Sequence, residues 1–332
     1  MPKKQKDTDY LFISTRLRAL EPRMLTRERM ERMLEARSTE DAVKVLSECG
    51  YEGLDPLTSS GLEQSLRRSR EETFAELTEL APDNTLVDVF RMKYDYHNIK
   101  ALLKCSARGE DPLRILIDAG RISPDTLREA IQKDELDTLP YKLAEAVSTA
   151  REILDTTGDP QRSDFSLDRA YYAELSETAE NSGSNFLQEY VRLLIDAANL
   201  RSAVRSIRMK KNLEFLGEVL VEGGSVDRSQ ISAAVTTGSN LEPVFPDDLQ
   251  EAAALGDQAA HGGSQTAFEK ACDDAVNRLL RRSHMTPFGD GVLISYLAAR
   301  ENEITAARII LSGRMAGVST QSIRERLREA YV

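Results

Sequence analysis

The chain has 332 residues, of which 41% are hydrophobic, and a formal net charge of −11. This length allows two or three ordinary domains or one array of repeats, and the negative charge argues against a nucleic-acid binder that depends on phosphate contacts. No apolar run approaches the roughly 18 residues of a transmembrane helix, and no apolar segment of a signal peptide follows the basic N-terminus.

Helical periodicity begins early and continues along the chain. In STEDAVKVLSECG (residues 38–50), Ser38 is a predicted N-cap, and Asp41 follows three residues later, as in a capping box. Apolar residues then recur at helical spacing until Gly50, which is expected to end the helix. Because no alternation typical of strands persists for more than a few residues, we predict an all-α fold.

A polar helical motif occurs three times. The stretch KYDYHNIKALLK (93–104) matches LIDAANLRSAVR (194–205), and ENEITAARIILS (301–312) is a weaker third copy. Each copy has an acidic residue and, five positions later, a basic residue. The first two copies also have an asparagine three positions after the acid. In order, these residues are Asp95, Asn98 and Lys100; Asp196, Asn199 and Arg201; and Glu303 and Arg308.

The motif favours a structural interpretation over a catalytic one. His97 corresponds to Ala198 in the second copy, so the shared pattern does not require an imidazole. The acid and the asparagine lie on one helix face. The basic residue points roughly 140° away and cannot pair with that acid within the helix. We therefore expect these side chains to reach a neighbouring helix or turn and to hold the shape of each repeat.

A second element follows each copy: AGRISPDTL (119–127), GGSVDRSQI (223–231) and MAGVSTQSI (315–323). Each has an apolar residue, then a capping residue, then an apolar residue four positions after the cap, which is a hydrophobic staple at a helix start. The predicted caps are Ser123, Asp227 and Ser319. Two linked motifs in the same order, three times, indicate triplication.

Loop-like stretches divide the chain. Residues 156–164, 236–250 and 261–265 are rich in glycine, proline and polar residues. Together with the repeats they predict three helical modules, at 1–130, 131–235 and 236–332.

Two basic stretches stand out in this acidic chain. Residues 201–211 contain five basic residues and no acid, and residues 277–284 are similar. Either they are solvated helix faces, or they dock an acidic partner or an anionic membrane surface. As interface candidates we take Arg201, Arg205, Arg208, Lys210, Lys211, Arg281 and Arg282.

The sequence contains no catalytic motif of a common kind. There is no phosphate-binding loop, dinucleotide fingerprint, zinc-protease motif or nucleophile elbow. The histidines show no metal spacing, and the three cysteines predict small core residues in a reduced, cytosolic setting. DDAVN (273–277) is weakly similar to magnesium motifs of all-α isoprenoid enzymes, but for Asp273 and Asp274 a solvated edge is the favoured interpretation. No catalytic, cofactor or metal residue is predicted.

Three stretches together resemble one known family: YLFISTRLRALEPRMLTRERMERMLEARSTEDAVKVLSECGYEGL, FRMKYDYHNIKALLKCSARG and YLAARENEITAARIILSGRMAGVSTQSIRERLREAYV. They are similar to the C subunits of archaeal and bacterial A/V-type ATP synthases, whose counterpart in the vacuolar ATPase is the d subunit. The resemblance extends from about Tyr10 to Val332. One departure is Ala306, which occupies the asparagine place of the third copy.

The resemblance implies a non-catalytic rotor adaptor. Members are three-lobed, funnel-like helical bodies on the cytoplasmic face of the membrane, where they sit on the proteolipid ring and receive the D and F subunits of the central stalk. It implies torque transmission without a cofactor, while nucleotide and coupled ion belong to other subunits. Two alternatives stay open: an unrelated helical-repeat scaffold that binds a cytosolic protein through a concave face, and an all-α enzyme with a deep polar pocket.

Overall fold

The computed structural model describes residues 5–332 of the chain. Within this range every regular element is a helix, so the all-α prediction is confirmed. None of the described helices has an apolar stretch long enough to cross a bilayer. The chain forms two compact units: one combines the described residues up to Val87 with Pro246–Val332, and the other is Asp88–Phe245. We call them the terminal unit and the central unit.

The terminal unit takes helices from both ends of the chain. They are α1 (Leu11–Leu20), α2 (Arg27–Glu35), α3 (Thr39–Glu48), α4 (Ser59–Leu80), α12 (Gln250–Ala260), α13 (Gln265–Arg281), α14 (Asp290–Met315) and α15 (Thr320–Arg324). Helix α14 packs against α1, α3, α4 and α13. The hydrophobic core of the terminal unit includes four side chains that are each at most 1% exposed: Leu34, Leu46, Leu66 and Ile310. Burying each such side chain contributes about 1.5–3 kcal/mol.

The central unit is continuous in sequence. Its helices are α5 (Thr85–Arg108), which begins just before the unit boundary, α6 (Pro124–Lys133), α7 (Tyr141–Thr157), α8 (Pro160–Ser182), α9 (Asn185–Arg208), α10 (Leu213–Val219) and α11 (Arg228–Thr237). Helix α8 packs against α7 and α9, and α9 packs against α10 and α11. The rings of Phe90 on α5 and Tyr190 on α9 stack with centroids 5.7 Å apart.

Local signals set the helix boundaries where the sequence predicts them. Ser38 caps α3 by accepting a hydrogen bond from the Asp41 amide. Ser123, Asp227 and Ser319 are the N-caps of α6, α11 and α15, so all three predicted caps are confirmed. Each cap requires only a side-chain oxygen within reach of an amide two or three residues ahead.

The predicted loops are shorter than expected in one case. Between α7 and α8 the helical pattern breaks only at Gly158 and Asp159, because Gly158 adopts a φ of 65° and Asp159 caps the next helix. The stretch 236–250 includes the second boundary between the units. The first two motif copies lie on α5 and α9 in the central unit, and the third lies on α14 in the terminal unit. The three-module, funnel-like arrangement stays a prediction.

Candidate functional site

In the first copy, the acid and the asparagine hold the chain segment that follows their own helix. Asn98 donates to the carbonyl of Ile117 (2.8 Å) and accepts from the amide of the same residue (2.9 Å). Asp95 accepts from the amide of Ile122 (3.2 Å). A Cβ at Gly120 would overlap the Asp95 carboxylate, so only glycine allows this close approach. The pair therefore fixes the path of residues 117–122 across α5.

The second copy repeats this geometry. Asn199 exchanges two hydrogen bonds with the backbone of Val221, both 2.9 Å long. Asp196 accepts from the amides of Ser225 (2.9 Å) and Val226 (3.1 Å). Here too, a Cβ at Gly224 would overlap the carboxylate. We call each of these arrangements an Asp–Asn clamp.

The clamp carboxylates are buried, and burial dominates their electrostatics. Burial raises the pKa of Asp95, although a hydrogen bond and an ion pair with Arg121 (2.6 Å) act in the opposite direction. Burial likewise raises the pKa of Asp196, against the hydrogen bonds from Val226 and Ser225. Arg121 also forms a salt bridge with Glu174 (2.7 Å), and the carboxylate of Glu174 accepts a hydrogen bond from the hydroxyl of Tyr96 (2.8 Å). These groups are engaged in holding helices together.

The third copy uses its acid differently. Glu303 accepts from the amide of Leu25 (2.6 Å) and the hydroxyl of Tyr51 (2.7 Å), and it pairs with Arg300 on its own helix. The segment after α14 is not its partner in these bonds. Burial, followed by the charge of Glu303, raises the pKa of Tyr51 well above its usual value. With alanine at position 306, this copy has no amide with which to form a clamp.

The basic residues of the motif point to other elements. Lys100 donates to Asp168 on α8 (2.5 Å), and Arg308 pairs with Glu63 on α4 (2.7 Å). Arg201, the equivalent of Lys100, lines a cavity of about 240 Å³ between α8, α9 and α10. The role of the motif residues in shaping the repeats stays a prediction, which their contacts support.

Apart from Arg201, the interface candidates fall into two groups. Arg205, Arg208, Lys210 and Lys211 are exposed at the end of α9, and within the described residues they form no salt bridge. Arg281 pairs with Glu329, and Arg282 pairs with Asp248 (2.9 Å), so these two cations already have partners inside the terminal unit.

The histidines and cysteines are dispersed. His97 lies 3.0 Å from the carbonyl of Ile115, and burial lowers the pKa of His284, whose ring packs edge-on against Tyr331. All three cysteines are buried. Among residues 5–332, no three histidine, cysteine or acidic side chains are grouped so that they could hold a metal ion.

Comparison with known proteins decides the family. A family model described as "ATP synthase (C/AC39) subunit" matches residues 13–326. The chain belongs to this family. The C subunit of the V-type sodium ATPase of Enterococcus hirae is 24% identical over 331 residues, which cover 97% of this chain and 99% of that protein. The resemblance seen in the sequence is therefore confirmed.

Relatives of the same kind occur in other organisms. The C subunit of the A-type ATP synthase of Methanocaldococcus jannaschii is 24% identical over 96% of this chain and 86% of its own length. The C subunit of the V-type ATP synthase of Deinococcus radiodurans is 24% identical over 95% of this chain and 90% of its own length. The similarity to these relatives therefore extends over nearly the whole chain.

In this C/AC39 family member, one polar pair departs from the sequence-based expectation. Asp274 is not part of a solvated edge: it is buried on α13 and accepts the amide of Glu329 (2.7 Å), while Asn277 donates to the carbonyl of the same residue (3.1 Å). Asp273 pairs with Arg328 (2.6 Å). An acid and an asparagine three residues apart thus hold the C-terminal segment. The signal in the sequence was the D-x-x-N spacing inside DDAVN, the same as in the two clamps.

Proposed function

We propose that this chain is the non-catalytic central-stalk subunit of an A/V-type ATP synthase, the socket that couples the D and F subunits of the stalk to the membrane proteolipid ring. The observation that carries the proposal is the match to known C subunits along nearly the full length of both chains. Through this socket, torque passes between the ATP-driven head and the ion-carrying ring, in synthesis or in ion pumping.

The internal contacts are consistent with a torque-bearing part. A rotor element must resist shear, which requires helices that are fixed to one another and to the segments between them. Both Asp–Asn clamps bind backbone on the segment after their helix, and the cations Lys100 and Arg308 connect their helices to α8 and α4. The motif's polar groups are thus used within the chain rather than presented to a substrate.

The proposal places the protein on the cytoplasmic face of the membrane as a peripheral subunit. Its contact residues are proposals too. The four exposed cations at the end of α9 are available to a partner, whereas Arg281 and Arg282 would have to exchange their present partners. Desolvating a charge without a new partner is unfavourable, so we place the α9 cations first.

A tagged purification from mild-detergent membranes, followed by mass spectrometry, tests the function. We expect proteolipid, D and F subunits in a fixed ratio to the tagged chain. Recovery of the chain alone, in the fraction without membranes, would contradict the proposal and would favour a family member that works as a helical scaffold outside the ATP synthase. As a control, the same tag on an unrelated protein should recover none of these subunits.

A further inference from the structure

The three motif helices end in the same way at the same distance from their acids. The residue fourteen positions after the acid (95 to 109, 196 to 210, 303 to 317) adopts a left-handed conformation, with φ of 66°, 51° and 69°. In each case the next amide bonds back to a carbonyl five residues earlier, as in a Schellman motif. The three helix ends are therefore equivalent positions of the repeat.

One of the three equivalent positions has an unfavourable residue. Gly109 and Gly317 occupy it in the first and third copies, but Lys210 occupies it in the second. A left-handed conformation is unfavourable for any residue with a Cβ, and lysine lacks the short polar side chain with which asparagine or aspartate can form a local hydrogen bond there. The exposed ammonium group is what distinguishes Lys210 from the glycine found in the other copies, which points to a role for that charge.

The surroundings of Lys210 combine positive charge with exposed apolar surface. Met209 is 50% exposed and Leu213 is 57% exposed. Three further exposed cations lie in the same stretch of the chain: Arg205, Arg208 and Lys211. The Lys211 Nζ lies 5.0 Å from the centre of the Phe215 ring. The other helix ends differ. Acids follow Arg108 after α5, and in the last turn of α14 Arg314 donates to two backbone carbonyls of the terminal unit.

A cavity adjoins these cations. The space of about 240 Å³ between α8, α9 and α10 is large enough for one apolar side chain. Its wall combines the apolar residues Phe165, Tyr172, Phe215, Val219 and Val221 with polar ones that include Asp168 and Arg201. Arg205 lines it and also belongs to the cationic group.

The acid that lines the cavity and one acid on α10 already form salt bridges. Asp168 pairs with Lys100 (2.5 Å), and Glu218 pairs with Arg162 (2.5 Å). Glu214 is the one acid on α10 that stays exposed without a salt bridge in the described part of the chain. In the described part of this face, four exposed cations and one exposed acid therefore have no salt bridge, although the chain as a whole carries a net charge of −11.

We propose that the end of α9 and the adjoining cavity dock an acidic segment of another subunit, which places one apolar side chain in the cavity and its carboxylates against Arg205, Arg208, Lys210 and Lys211. The inference rests on the proposed function, which supplies the complex that contains the partner. A cavity of this volume fits a protein side chain better than a lipid surface, since two exposed apolar residues bury little area in a bilayer.

Zero-length cross-linking of the purified complex tests the chemistry directly. A carbodiimide joins a lysine amine to a carboxylate in contact with it, and mass spectrometry identifies the two residues. We expect Lys210 or Lys211 to be joined to an aspartate or glutamate of another subunit. The Lys100–Asp168 pair is the internal control, because its atoms lie 2.5 Å apart in this chain. Formation of the control link without any link from Lys210 or Lys211 to another subunit would overturn the proposal.

Matched charge reversals test the contribution to assembly. The double variant Arg208→Glu/Lys211→Glu should be recovered roughly tenfold less with the complex, because two attractive contacts become repulsive. Arg108→Glu/Arg114→Glu is the control: it makes the same change in charge at the exposed end of α5 in the same unit. Equal recovery of both variants, whether high or low, would contradict a specific docking surface. Circular dichroism melting of each purified variant establishes that it folds.

Two further arms separate the explanations. Lys210→Gly should melt at a higher temperature and yet assemble less well, whereas a purely structural lysine predicts unchanged assembly. If Arg208→Glu/Lys211→Glu loses binding to phosphatidylglycerol vesicles but assembles normally, the surface contacts lipid and the acidic-segment proposal is wrong. If the unaltered chain is itself absent from the purified ATP synthase, the proposed function fails, and this inference fails with it.

Discussion

The clamp of the second copy makes a quantitative prediction about Asn199. This side chain is 1% exposed, and both of its hydrogen bonds go to Val221, which is 5% exposed. Asn199→Ala leaves the amide and the carbonyl of Val221 buried without partners. Each unsatisfied buried group costs about 1–3 kcal/mol, so with two such groups we expect the free energy of unfolding of the central unit to fall by about 2–6 kcal/mol.

The first copy provides an internal comparison. Asn98 makes the same two bonds to Ile117, but Ile117 is partly exposed. Water can therefore reach its backbone groups when the amide is removed, and Asn98→Ala should lower the free energy of unfolding by only about 1–2 kcal/mol. The exposed Asn240 is the neutral control, and its change to alanine should stay within about 0.5 kcal/mol.

The assay is urea denaturation followed by far-ultraviolet circular dichroism, with the slope of free energy against urea concentration fitted for each variant. An unchanged slope with a lower midpoint identifies a loss of stability rather than a change in the unfolded state. The reasoning is refuted if Asn199→Ala matches Asn240→Ala. If Asn98→Ala and Asn199→Ala are equally destabilising, the hydrogen bonds matter but burial of the partner backbone does not decide the magnitude.

Three more predictions use the same assay. Gly224→Ala should destabilise the chain by more than about 1 kcal/mol, because its Cβ would overlap the Asp196 carboxylate. Its control is Gly217→Ala, which has open space inside α10 and should stabilise the chain by about 0.5–1 kcal/mol. Unchanged stability of Gly224→Ala would argue against the close approach of the carboxylate. Lys210→Gly should add about 1 kcal/mol by removing the left-handed lysine, and no gain would show that position 210 is unstrained. Because the pKa of Asp196 is raised in the folded state, its contribution to stability is complete below the unfolded pKa of about 3.9 and is lost as pH rises through the higher folded pKa. Relative to the non-titrating Asp196→Asn, the unaltered chain should therefore lose stability above about pH 4. Parallel profiles of stability against pH for the two proteins would contradict this.

The sequence was a good guide to local structure. The helical class, the caps at Ser38, Ser123, Asp227 and Ser319, and the family could all be predicted, because each depends on residues close in sequence or on an ordered set of such stretches. The Schellman ends of α5, α9 and α14 were also accessible from the fourteen-residue spacing. These ends were not predicted from the sequence, because in the second copy Lys210 stands where a glycine normally marks such a helix end.

Only the tertiary structure decided which groups the polar side chains bind. Asn98 and Ile117 are 19 residues apart, whereas Glu303 and Leu25 are 278 residues apart, although the two side chains come from matching motifs. Asp274 likewise binds the amide of a residue far away in the chain, Glu329, which is 55 residues later. The reason is physical: the partners are backbone amides and carbonyls, which nearly every residue has, so side-chain identity says that a bond is needed but not where it goes. Packing of the helices brings one segment of backbone within reach, and that choice is made by the whole core.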